Sequence, residues 1–77
     1  MVFDYSKLLG RIKELGFTQE TLAKQVMMSN STLCLKLNNK AHFRQTEIAA
    51  ICVVLDIAPS DIGRYFFTLK VRKTEEE

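Results

Sequence analysis

At 77 residues the chain has room for one domain, and a domain so small buries only roughly 60% of the surface its unfolded chain exposes, so its core must be thin. With 47% apolar and 26% charged residues the composition is that of an ordinary globular protein; no apolar run of about 18 residues could span a membrane, and the opening Met1-Val2-Phe3-Asp4-Tyr5 has neither the basic nor the apolar region of a signal peptide, which sets the expectation of a cytoplasmic protein. The net charge of +2 is unevenly spread: setting aside Glu75, Glu76 and Glu77 leaves 11 basic against 6 acidic residues, and no acid stands between Glu20 and Glu47, an interval that holds Lys24, Lys36, Lys40 and Arg44.

Apolar residues recur at helical spacing along most of the chain. A first helix is expected over about residues 5–15, with Leu8, Leu9, Ile12 and Leu15 as its stripe, Asp4 or Ser6 as its cap and Gly16 as its left-handed stop. A second fits about residues 18–27, capped by Thr18, with Leu22, Ala23 and Val26 on one face. A third follows Ser29 over about residues 30–38, with Leu33 and Leu37 inward; Asn38-Asn39 ends it, because asparagine tolerates the left-handed conformation. After a loop of six residues a fourth helix fits 45–55, with Ile48, Ala49, Ile51, Cys52 and Leu55 apolar. A short fifth begins at Pro59 and runs to about residue 65, with Ile57, Ile62 and Phe66 closing the core. The period then changes. Phe67-Thr68-Leu69-Lys70-Val71-Arg72 alternates strictly, which predicts a half-buried strand paired either with Met1 to Phe3 or with the same strand of a second subunit. Residues 1–74 are expected to form the domain, and the acidic 75–77 an unstructured tail.

The stretch from Gln19 to Asn38 is the informative one. Ala23 supplies the small residue that two helices crossing at roughly 90–120° require, Leu22, Val26 and Leu33 face inward, and Met27-Met28-Ser29 gives a turn of the right length. This unit resembles the helix-turn-helix of the phage repressor and Cro (Xre-like) family, and the Leu-Lys-Leu-Asn-Asn-Lys run after it is similar to that of small Gram-positive phage regulators. The resemblance covers roughly residues 5–62 and implies a mainly α, five-helix lambda-repressor-like domain, with the probable short C-terminal β-strand added at its end. Two positions depart from the family. Met27 stands where glycine is usual, at a turn that tends to need a positive φ, which would cost methionine roughly 1 kcal/mol. Lys36 fills a slot that is often apolar, where its stem could lie on the core while the ammonium snorkels out.

For function the resemblance implies sequence-specific binding of a double-stranded DNA operator, with the third helix in the major groove. By position on that helix, Asn30, Ser31, Cys34 and Leu35 would reach base edges, Asn30 on an adenine and Leu35 on thymine methyls. Thr18, Gln19, Ser29, Lys36, Asn38, Lys40 and Arg44 would hold phosphates. A helix of this length covers only about four base pairs, which predicts a homodimer on a pseudo-palindromic site, joined through Tyr65, Phe66, Phe67, Leu69 and Val71. The rival class is a protein-binding modulator or antirepressor that captures another phage repressor with the helix-turn-helix surface or the aromatic tail. Nothing supports an enzyme: no nucleophile–base pair, no phosphate loop and no paired carboxylates stand out. No cofactor is expected. His42, a loop residue without an assigned role, and the scattered Cys34 and Cys52 lack metal-ligand spacing, and both cysteines are expected as free thiols.

Overall fold

The computed structural model describes residues 2–70. Five α-helices follow one another: α1 (Ser6–Glu14), α2 (Gln19–Gln25), α3 (Asn30–Leu37), α4 (Gln45–Leu55) and α5 (Ile62–Phe66), the last entered through a 3-10 turn at Pro59–Asp61. Thr18 caps α2 by accepting from the Thr21 N–H, and Ser29 caps α3 by accepting from the Thr32 N–H. The cap of α1 is shifted back: Tyr5 occupies the cap position, and the Asp4 carboxylate accepts the Ser6 N–H at 2.9 Å.

The first four helices stop in the same way. Gly16, Met27, Asn39 and Asp56 all take a positive φ, at 81°, 57°, 64° and 54°. In each case the next residue donates its N–H five residues back: Phe17 to Ile12, Met28 to Ala23, Lys40 to Leu35 and Ile57 to Cys52, at 2.8–3.0 Å. These are Schellman closures, which satisfy carbonyls orphaned at a helix end and turn the chain sharply. Phe17, Met28 and Ile57, the residues just past three of the stops, then fold onto the core. Met27 shows that the turn is not adjusted to spare the missing glycine; the methionine takes the left-handed conformation with its side chain 94% exposed.

The core forms where the helix stripes meet. Leu8, Leu22, Leu33, Ile51, Leu55 and Phe66 are each less than 2% exposed, and each contributes roughly 1.5–3 kcal/mol by its burial. Ala23 is buried where α2 packs on α3, and α1 packs on α5. Arg11 joins α1 to the end of α4, its Nε donating to the Leu55 carbonyl at 3.0 Å. Three expected core residues lie outside it: Leu9 and Leu15 are each 40% exposed, and Ala49 is exposed. Short helices with a thin core bury a narrower stripe than the apolar pattern offers.

The expected C-terminal strand is corrected. Among the described residues there is no strand, but one isolated antiparallel bridge, Phe3 with Leu69. Two bonds flank it, Asp4 N–H to the Thr68 carbonyl (2.7 Å) and Lys70 N–H to the Val2 carbonyl (2.9 Å). On its other edge Phe3 meets a side chain: the Asn39 amide accepts the Phe3 N–H at 2.8 Å and donates to its carbonyl at 3.0 Å. A side-chain amide occupies the edge of Phe3 where a third strand would pair. Phe67 and Leu69, on the apolar side of the alternation, are 53% and 52% exposed. Val71, Arg72 and the acidic tail lie outside the described residues.

Met27→Gly should raise stability by about 0.5–1 kcal/mol, because the strain of the left-handed methionine outweighs the added chain entropy. A thermal melt should show a rise of about 2–8 °C. Asn39→Gly keeps the backbone conformation and deletes both amide bonds to Phe3. It should cost about 1–2 kcal/mol in urea unfolding, with faster amide exchange at Phe3.

Candidate functional site

Helix α3 presents Asn30, Ser31, Cys34, Leu35 and Asn38 to solvent, and turns Leu33, Lys36 and Leu37 inward. The spacing 31, 34, 35, 38 is that of one helix face. Asn38 folds back along it, its Nδ2 donating to the Cys34 carbonyl at 2.8 Å and lying 3.3 Å from the Cys34 Sγ. Leu35, 47% exposed, is the large apolar group on this face. Among these outward residues none is charged.

Lys36, expected to snorkel outward and hold a phosphate, is 6% exposed and its Nζ donates to the Glu47 carboxylate on α4. The same carboxylate oxygen accepts the Arg44 N–H at 2.7 Å, which closes the start of α4. Burial tends to raise the Glu47 pKa, but the bonds from Lys36 and the Arg44 N–H outweigh it and hold the carboxyl below the usual carboxylate range. Lys36 is therefore a positioning residue that joins α3 to α4, and its charge is neutralised inside the fold. Glu47 was missed in the sequence because its partner lies on another helix.

The remaining phosphate candidates separate. Thr18 and Ser29 spend their hydroxyls on local caps, with Thr21 and Thr32 respectively. Gln19, Lys40 and Arg44 are exposed, and the acid Glu20 sits in the first turn of α2 beside Gln19. A phosphate approaching that helix start would meet a carboxylate. Of the expected dimer residues, Phe66 is 1% exposed and belongs to the core, and Tyr65 is half-buried. Phe67 and Leu69 are on the surface, and Val71 is outside the described residues.

A second feature lies beside the bridge. Phe3, Phe43, Ile48 and Phe67 surround an open groove of about 380 Å³, with buried Tyr5 and Phe66 also in its lining. His42, which had no expected role, lines it too. Both cysteines are free, Cys34 exposed and Cys52 buried, and burial pushes the Cys52 thiol pKa up. Among the described residues no cluster of His, Cys, Asp or Glu could hold a metal, and no helix is long and apolar enough to cross a membrane.

A family model described as a protein of unknown function, DUF739, matches residues 1–69. The chain belongs to the DUF739 family. This DUF739 chain is similar to a protein solved in solution, the modulator of repression of the temperate bacteriophage TP901-1 from Lactococcus lactis. The identity is 43%, the match covers 94% of this chain and 97% of that one, and the TM-score is 0.76. No curated protein matches.

These findings correct the resemblance to the phage repressor and Cro family and the operator-binding function it implied. The family model that matches is described as of unknown function, and the solved relative is a modulator of repression. The physical reason is that the Gln19–Asn38 pattern encodes how two helices pack, and leaves open what their outer face touches. The base-reading roles of Asn30, Ser31, Cys34 and Leu35, and the phosphate roles assigned with them, lose the function that motivated them. The two-fold dimer was inferred from operator reading and loses that basis.

Glu47→Gln should lower stability by about 1–3 kcal/mol at neutral pH, because the Lys36 ammonium stays buried without its counter-charge. The sign with pH follows from the depressed Glu47 pKa. Its contribution is complete above the ordinary carboxylate pKa and is lost as pH falls through the folded-state value. Urea midpoints of the two proteins should therefore converge in acid.

Proposed function

We propose that the chain is a protein-binding regulator that modulates a phage repressor by capturing it, and that the outward face of α3 is its docking surface. The observation that carries this is the charge-free outward face of α3. Binding to nucleic acid draws its affinity from exposed cations set against phosphates. A neutral helix face with a half-exposed leucine at its centre has instead the make-up of a protein-interface core, depleted of charge and able to exclude water. The 43% identity to a modulator of repression supports the same reading. In it the five helices take the lambda-repressor-like arrangement, and the α2–turn–α3 unit keeps the helix-turn-helix layout for gripping a protein. Such a regulator works in the cytoplasm, and as a binding module rather than an enzyme.

The test is titration of the purified chain against the repressor of the same phage genome, followed by calorimetry and size-exclusion chromatography. A stoichiometric complex is expected. Leu35→Asp should weaken it roughly tenfold or more, as for a central interface anchor, with an unchanged circular dichroism spectrum since Leu35 is outside the core. Failure to form a complex, or a complex indifferent to Leu35→Asp and to Cys34→Arg, would overturn the assignment of this face.

A further inference from the structure

Four of the described residues take a positive φ, and three of them are of the kinds that bear it easily: Gly16, Asn39 and Asp56. The fourth, Met27, has φ 57°. A methionine is strained in that conformation, and a glycine is not. Packing could offset the strain, but the Met27 side chain is 94% exposed, more than any other large apolar residue among those described. Its neighbour Met28 shows the contrast: its N–H donates to the Ala23 carbonyl at 2.8 Å, and its side chain packs against the core. The fold gains nothing from methionine at position 27 that glycine would not supply better. Strain kept without a gain in packing points to a contact outside the fold.

The position of Met27 in the chain says which contact. Only Met28 and Ser29 separate it from Asn30, where α3 begins, so the Cα atoms of Met27 and Asn30 lie within about 11 Å of each other. Ser29, between them, is exposed as well. A protein contact of standard size covers about 800 Å² on each partner. Helix α3 has eight residues and is therefore about 12 Å long; one face of so short a helix cannot supply that area. A partner seated on α3 must reach past its ends, and Met27 stands exposed just before the first of them. Its uncharged thioether offers nothing to a phosphate. It suits a protein surface, because methionine is unbranched and polarizable and fills irregular apolar gaps.

We propose, resting on the reading that α3 docks a phage repressor, that Met27 is a second anchor of that contact, its side chain packed against apolar side chains of the repressor. The test titrates Met27 variants of the full chain with the repressor of the same phage genome by calorimetry, and a thermal melt accompanies each variant. Met27→Gly is expected to melt higher than the unsubstituted chain and yet to bind roughly tenfold more weakly, as for loss of an interface anchor. A purely structural residue would not move stability and affinity in opposite directions. Met27→Gln, which keeps the length of the side chain and makes its end polar, should also lose affinity, and Met27→Leu should keep most of it. The ¹³C-methyl signal of Met27 should shift when the repressor is added. Leu35→Asp is measured in parallel. A complex weakened by Leu35→Asp but indifferent to Met27→Gly and Met27→Gln, or a Met27 methyl signal unmoved on complex formation, would overturn the role of Met27 and leave the α3 face standing. A chain that forms no complex at all overturns the repressor reading, and the role of Met27 with it.

Discussion

The left-handed stop is the constraint on which this small fold rests. Helices of seven to eleven residues are too short to be stable alone, since isolated helices below about 12–15 residues are marginal in water. They persist because each is turned back at once onto the others. Gly16, Met27, Asn39 and Asp56 perform that reversal with one repeated hydrogen-bond pattern. At three of the four sites the following residue is apolar and lands on the core. Helix termination and core formation are thus one event, and the strain accepted at Met27 is the local cost of a reversal that the packing of α2 on α3 requires.

The character of the α3 face follows from the same packing. With α3 packed on α2, Lys36 points into the structure and must find a counter-charge, and Glu47 supplies it while also closing the start of α4. A buried pair of this kind adds little net stability, since desolvation offsets the attraction. Its consequence is what it removes from the surface. The outward residues of α3 are neutral on their own account, and the buried Lys36 adds no charge to them. Asn39 has a comparable double role, stopping α3 with its backbone and holding Phe3 with its side chain, so that the aromatic groove is assembled where the helix ends.

Much of this architecture was legible in the chain. Thr18, Ser29 and Gly16 mark helix boundaries by local chemistry, because a hydroxyl cap or a residue without a Cβ acts on its own neighbours. The α3 and α4 spans and the exposure of Leu35 follow from helical period alone. The site was less legible. Asn30, Ser31, Cys34 and Leu35 were placed on the outer face, but with a role taken from the resemblance to repressors that the comparisons overturn. The alternation from Phe67 predicted a strand, and among the described residues it yields the single Phe3–Leu69 bridge.

The sequence by itself determined where helices begin and end and which residues can face inward, since those depend on contacts within four or five residues. Tertiary structure alone decided what Lys36, Asn39 and Phe43 do. Each meets a partner elsewhere in the chain: Glu47 for Lys36, Phe3 for Asn39 and Tyr5 for Phe43. Charge pattern shows that Lys36 is a cation, but only the placement of Glu47, at the start of α4, beside it determines whether that cation is offered to a ligand or neutralised inside.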